Sequence, residues 1–156
     1  MHSAFILSAL LMVQPSPAPT NVVASQFLVY SRSIGEPSVE ETTQVPYRPG
    51  DSCFDWGLLI EVQFRDRSFT EVMQLPAPAS DIGSDDEDVQ IHVSTDRTSA
   101  RVEHDFAAGE TELAGNWCVA PGDPLGRYTI TVSEGARVLH RFDFEVVPDS
   151  EAPETV

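Results

Sequence analysis

The stretch that decides the fold is Gly126 to Val147, GRYTITVSEGARVLHRFDFEVV. It contains two runs of alternating apolar and polar residues around a turn at Glu134-Gly135-Ala136, a pattern typical of a β-hairpin. Period two places the apolar side chains of each run on one face. That face carries Tyr128, Ile130, Val132, Val138, His140, Phe142, Phe144 and Val146. One side of this hairpin is therefore predicted to pack against a core.

The rest of the chain has the same character. Twelve prolines and nine glycines interrupt it at short intervals, and no segment has sustained helical periodicity. Further strands are predicted at Gln26–Tyr30, Cys53–Phe64, Phe69–Leu75, Val89–Val93, Arg101–Phe106 and Trp117–Ala120. Seven or eight short strands favour an all-β fold, an immunoglobulin-like antiparallel β-sandwich. The strand Phe69–Leu75 is predicted to be the hairpin partner of Cys53–Phe64, whose alternate residues from Phe54 to Phe64 would face the core.

The N-terminal segment has the features of an export signal. Ala4 to Val13 is apolar except for Ser8, which is too short to span a bilayer as a helix but has the length of a signal-peptide apolar region. Val22 and Ala24 provide small residues for cleavage before Ser25. We expect a signal peptide over 1–24, a sandwich over 25–147 and an acidic, disordered tail over 148–156, with an uncleaved anchor or a misassigned start codon as the alternatives to a cleaved signal. The location that follows is periplasmic or secreted, without membrane insertion after cleavage.

The cysteine content agrees with export. Cys53 and Cys118 are the two cysteines of the chain, an even number for an oxidising compartment. A disulfide between them is predicted, with a pair of buried free thiols as the alternative.

The charge balance excludes some partners. The chain of 156 residues has 25 acidic residues, nine arginines and no lysine, for a net charge of −16. Nucleic acids and anionic membranes are bound through cationic side chains, so neither is an expected partner.

The densest acidic segment is Asp81 to Asp88. Clustered carboxylates suit calcium, and Asp81, Asp85, Asp86 and Asp88 are the candidate ligands. Their spacing does not fit an EF-hand, so a solvated loop that aids solubility is the competing interpretation. No other cofactor is indicated. His92 and His104 are predicted on opposite faces of their hairpin, which disfavours a histidine metal site.

No catalytic pattern is present. Gly50-Asp51-Ser52 lacks the residues that follow a serine nucleophile in known motifs, and no base is specified. The protein is therefore not predicted to be an enzyme. Tyr30, Tyr47 and Phe69 are the aromatic residues that could remain exposed and contact a partner or a sugar.

A family resemblance rests on residues between Pro46 and Val146. A pattern of Pro, Gly and Phe leads into the strand Cys53–Phe64. The terminal hairpin follows a Trp and a Pro-x-Gly turn. The matching residues are Pro46, Gly50, Phe54, Trp117, Pro124, Gly126, Tyr128, Gly135, Phe144 and Val146. The sequence resembles a family of exported bacterial single-domain proteins of unknown function with an immunoglobulin-like sandwich. The resemblance implies a fold and a compartment, without an activity or catalytic residues.

Three functional hypotheses follow. The first is a non-enzymatic exported module that binds an envelope protein or glycan through loops and edge strands. The second is a calcium-stabilised module that uses the acidic loop, and the third is an enzyme of unrecognised type. An inhibitor or chaperone-like factor is a further alternative, and the oligomeric state is left open.

Overall fold

The computed structural model describes residues 18–33, 38–84 and 88–150. These residues form ten β-strands: β1 Val22–Ser31, β2 Val39–Glu40, β3 Gln44–Pro46, β4 Ser52–Ile60, β5 Arg67–Gln74, β6 Ile91–Val93, β7 Ser99–Phe106, β8 Glu112–Cys118, β9 Gly126–Glu134 and β10 Arg137–Val147. No helix long and apolar enough to cross a membrane occurs in the described ranges.

The strands form two sheets that pack as a sandwich. The four-stranded sheet has the order β2-β1-β4-β8, and the six-stranded sheet has the order β3-β10-β9-β5-β7-β6. The predicted immunoglobulin-like sandwich is confirmed, but it is not wholly antiparallel, because β3 pairs with β10 in parallel. The strand count exceeds the predicted seven or eight because a short edge strand such as β2 carries almost no periodic pattern.

The terminal hairpin lies where the sequence predicted it. β9 and β10 pair from Arg137 opposite Glu134 to Val146 opposite Gly126. Gly135 supplies the positive φ of 57° that the tight turn requires. A bulge between Val138 and His140 interrupts the ladder and leaves Val138 exposed, so the predicted inward face is shorter than the alternation suggested.

The predicted hairpin between Cys53–Phe64 and Phe69–Leu75 is wrong. β4 ends at Ile60, and β5 pairs with β7 and β9 in the opposite sheet. The connection crosses from one sheet to the other, so Val62 and Phe64 lie in it instead of the core. Phe64 is 94% exposed. Alternation specifies which face of a strand is apolar, but it does not specify which sheet the strand joins.

Aromatic rings fill the space between the sheets. Phe27 and Phe54 from the four-stranded sheet stack with centroids 5.5 Å apart, and Phe144 of β10 lies within 5.0 Å of both. The Tyr128 hydroxyl donates to the carbonyl oxygen of Pro124 at 2.7 Å, the tyrosine corner of immunoglobulin-like folds. Burial raises the pKa of Tyr128, which keeps this donor protonated.

Residues that precede the predicted boundary at Ser25 contact the sandwich. Val22 pairs with Ile60, and Ala24 pairs with Leu59. Thr20 is completely buried, and its carbonyl oxygen accepts a hydrogen bond from Arg137. The predicted cleavage point after Ala24 therefore falls within β1. A run of small residues can form the start of a strand as well as a cleavage signal, so the sequence pattern does not distinguish the two. The apolar run itself lies outside the described residues.

Two other predictions concern the register of the β6–β7 hairpin and the C-terminal tail. In the β6–β7 hairpin Ile91 lies opposite Val102, two residues from the pairing with His104 that matched apolar faces predict. A two-residue slip keeps each side chain on its face, so His92 is exposed while His104 points inward. Asp149, within the tail predicted over 148–156, forms an ion pair with Arg48 at 2.8 Å. Residues 151–156 lie outside the described part of the chain.

Candidate functional site

A groove crosses the outer face of the four-stranded sheet. It has a volume of about 530 Å³. Its floor consists of outward-facing residues of three neighbouring strands: Leu28 of β1, Gly57 and Leu59 of β4, and Ala114 of β8. The phenyl and indole rings of the same sheet point to the other side and form the core. The groove floor is therefore aliphatic and low, on a sheet held rigid by the sandwich beneath it.

Gly57 forms the lowest point of the groove. It lies in the middle of β4, directly between Gln26 and Ala114 on the adjacent strands. A Cβ placed on Gly57 would meet no atom within 4 Å, and its backbone does not have the positive φ that requires glycine. Glycine weakens a strand interior and often marks a place where a ligand or another backbone approaches closely. The fold itself gives no reason for the missing side chain.

Carboxylates surround this low point. On β4, Asp55 is the outward-facing residue next to Gly57 on one side, and Leu59 is the next one on the other side. Glu112 of β8 lies opposite Leu59. Glu41 forms the remaining rim. Within the described residues none of these three carboxylates forms an ion pair.

Tyr30 lies at one end of the same face. Its hydroxyl accepts a hydrogen bond from the side-chain amide of Asn116 at 2.6 Å, and that amide also donates to Asp55. Cys53, opposite both Tyr30 and Cys118, forms the predicted disulfide with Cys118, which is confirmed. The bridge joins β4 to the edge strand β8, four residues from Gly57 along β4.

The other aromatic residues predicted to contact a partner lie elsewhere. Phe69 is fully buried and packs edge-on against Phe106, so it cannot contact a partner. Its inward position agrees with the alternation of FTEVMQL, in which Phe69, Met73 and Leu75 share one face. Tyr47 is half-buried, and its hydroxyl accepts the backbone N–H of Gly122 at 3.2 Å. Of these three aromatic residues, the structure thus brings only Tyr30 to the face that holds the groove.

A buried carboxylate lies in the interior beneath the groove. Glu71 of β5 is 1% exposed, and one of its oxygens accepts the indole N–H groups of Trp56 and Trp117 at 2.9 and 2.6 Å. His104 Nε2 lies 2.8 Å from the other oxygen. A Cβ at Gly115 would overlap both the Trp56 indole and the Glu71 carboxylate, so glycine is required there. This network joins the two sheets.

The Glu71 network was not predicted, although the sequence contained a signal for it. In FTEVMQL the period-two inward positions are Phe69, Glu71, Met73 and Leu75, which puts an acid among core residues. Such an acid needs buried donors to compensate for its desolvation.

The candidate calcium ligands are only partly described. Asp85 and Asp86 lie outside the described residues, and within those that are described no group of three or more His, Cys, Asp or Glu side chains could hold a metal ion. Asp81 lies near Asp123. Burial raises the pKa of Asp123, a backbone N–H from Ala120 opposes this, and the charge of Asp81 raises it further. Calcium binding by the acidic loop remains a prediction.

The two packed sheets, the tyrosine corner and the parallel β3–β10 pair define the class of the protein as an immunoglobulin-like β-sandwich. Residues 25–147 match the PM0630 beta sandwich domain family, and the chain belongs to that family. This confirms the resemblance to an immunoglobulin-like bacterial family.

A solved structure is similar over most of the chain. It is an immunoglobulin-like protein (PA1606) from Pseudomonas aeruginosa, with a TM-score of 0.52 and 17% sequence identity, covering 85% of this chain and 100% of that one. At this identity the likeness establishes the fold alone. Comparison with curated proteins finds no match.

Proposed function

We propose that the protein is a non-enzymatic, exported accessory module of the cell envelope that binds a partner in the groove on the outer face of its four-stranded sheet. The observation that carries the proposal is Gly57. Its open position in the middle of β4 gives a partner close access to the sheet, at a cost in strand stability that the fold does not require.

The assignment to the envelope has separate support. An apolar run near the N-terminus is typical of an export signal, and the Cys53–Cys118 disulfide is characteristic of proteins that fold in an oxidising compartment. The non-enzymatic assignment is supported by the aliphatic floor of the groove, around which the polar side chains are Ser25, Gln26 and three carboxylates, with no histidine or cysteine among the lining residues.

Site-specific photo-crosslinking in the native cell tests the proposal. A photoreactive residue at Ala114, on the groove floor, is compared with the same residue at Asp143, an exposed position on the outer face of the six-stranded sheet. We expect a discrete adduct from position 114 that is absent from position 143. The substitution Gly57→Val should remove the adduct while the protein remains folded.

Adducts of equal yield at both positions, or none at position 114, would overturn the proposed site. Thermal unfolding of each variant provides the control for folding. Gly57→Val fills open space and replaces glycine with a good strand former, so its melting temperature should not fall.

A further inference from the structure

The two sheets differ in their distribution of charge. The strands of the six-stranded sheet contain five of the nine arginines, and exposed acids there pair with them, as in Arg101–Glu103 and Arg141–Asp143. The strands of the four-stranded sheet, all of whose residues are described, contain no arginine and no histidine. The strands that form the groove therefore carry negative charge without any cationic side chain of their own to neutralise it.

The spacing of the carboxylates follows the strands. Asp55 and Glu112 lie in rows on either side of the Gly57–Ala114 pair, two residues from it in each direction. Two residues along a strand span about 6.7 Å, so the two carboxylate rows are about 13 Å apart. An extended polypeptide lying along the strands presents the side chains of residues i−2, i and i+2 at this same spacing.

We propose that the groove takes an extended polypeptide segment with the pattern basic-x-apolar-x-basic. The apolar side chain lies over Gly57, and the flanking Lys or Arg side chains reach Asp55 and Glu112, with Glu41 adding to the attraction at the rim. This inference rests on the proposed function and names the chemistry of its partner.

Other occupants fit the groove less well. A second copy of the chain, docked through the same face, would oppose Glu41, Asp55 and Glu112 with three identical carboxylates, which repel. Sugar rings are commonly held against exposed aromatic faces, whereas the floor here is formed by Leu28, Leu59, Gly57 and Ala114. An extended basic segment satisfies both the apolar floor and the charged rim.

Peptide titration of the full mature protein, followed by backbone amide NMR shifts, tests the inference. The probe is a capped nonapeptide with the core Lys-Thr-Leu-Thr-Lys. One control has the same composition with the two lysines adjacent, and a second has glutamate in place of lysine. We expect shifts confined to β1, β4 and β8 with the first peptide, about fivefold weaker binding of the adjacent-lysine peptide, and no binding of the acidic peptide.

Matched protein variants separate local charge from net charge. Glu41→Gln/Glu112→Gln removes two carboxylates from the groove rim, and Glu103→Gln/Glu145→Gln removes two from the outer face of the six-stranded sheet. We expect the first pair to weaken binding about fivefold and the second to change it less than twofold. Gly57→Val should weaken binding by at least about tenfold, because its side chain occupies the seat of the apolar residue.

Several outcomes would overturn the inference. These are equal weakening by the two double variants, equal binding of the three peptides, or shifts spread over the six-stranded sheet. If none of the peptides binds while the crosslink at Ala114 is found in cells, the proposed function stands and the basic pattern is refuted. If both fail, the groove is not a binding site.

Discussion

Glu71 illustrates how a single side chain can connect the two sheets. Its carboxylate accepts two indole N–H groups from the four-stranded sheet and contacts His104 of β7 in the six-stranded sheet. In antibody domains the inter-sheet link is a disulfide whose second cysteine stands two residues after the corner tyrosine. Here Ile130 occupies that position, and the disulfide lies within one sheet. The polar network therefore supplies a cross-sheet link.

We predict that Glu71→Gln lowers the free energy of unfolding by about 2–3 kcal/mol. The amide has one oxygen where the carboxylate has two, so its hydrogen bonds are weaker, and its NH₂ group faces one of the ring N–H donors. Urea unfolding at pH 7 measures the effect. Glu103→Gln, on the exposed face of the adjacent strand, is the control and should change stability by less than about 1 kcal/mol. Equal effects of the two substitutions would refute the linking role.

The Asp123 carboxyl gives a pH-dependent prediction. Burial raises its pKa above the ordinary value of 3.8, with the Ala120 N–H opposing and the charge of Asp81 adding to the rise. The native state then holds this proton to a higher pH than the unfolded chain does. The group therefore destabilises the fold above its native pKa, and this penalty disappears as the pH falls through that pKa towards 3.8.

Asp123→Asn should remove the penalty while its amide oxygen still accepts the Ala120 N–H. We expect the variant to gain stability relative to the parent at pH 7 and to lose that advantage near pH 3.5. Unfolding measured across this range checks the sign. A gain that is independent of pH would show that the charge of Asp123 is not responsible.

At the scale of single elements, β1 extends further towards the N-terminus than the sequence predicted. The carbonyl oxygen of Ala18 accepts a hydrogen bond from Arg67, and that of Thr20 accepts one from Arg137. Arg67 also pairs with Glu134. Burial acts to raise the pKa of Glu134, but the hydrogen bond and charge of Arg67, together with Thr20, hold that pKa below its ordinary value. Residues 18–24 thus complete one end of the sandwich.

A chain that begins at Ser25 should be less stable than one that begins at Ala18, by about 2–4 kcal/mol. It loses the buried Thr20, the Val22 pairing and two acceptors for arginine. Chemical unfolding of the two chains, purified in the same way, gives the comparison. Equal stability would show that these contacts contribute nothing and would make cleavage after Ala24 compatible with the fold.

Much of the element pattern could be predicted because it is local. The β9–β10 hairpin follows from a turn and two alternating runs, and a single disulfide pairing was possible for Cys53 and Cys118. The crossing from β4 to β5 could not be predicted, because a six-residue connection can either reverse a strand or pass to the other sheet. The groove was missed for the same reason: only the pairing of β4 with both neighbours brings Gly57 beside Ala114.

For the whole molecule, the Cys53–Cys118 disulfide should contribute several kcal/mol to the free energy of unfolding. It joins directly opposed residues of β4 and β8 that are 65 positions apart in sequence. In the chain-entropy model a loop of this length corresponds to about 4 kcal/mol.

We predict that Cys53→Ala/Cys118→Ala lowers the free energy of unfolding by about 3–4 kcal/mol. Urea unfolding without reductant measures it, and the same loss should follow when the parent protein is measured with reductant present. If reductant has no effect on the parent while the thiols become alkylatable, the bridge is not a source of stability.

The parallel pairing of β3 with β10 sets the order in which the chain can be completed. Gln44 to Pro46 lies beside Glu145 to Val147, about a hundred positions later. During translation β3 therefore emerges long before its neighbour exists, and the edge of β10 closes only when the last strand has left the ribosome. Until then Phe27 and Phe54 lack the rings of Phe142 and Phe144 of β10, against which they pack. This part of the core can therefore pack only after β10 has been synthesised.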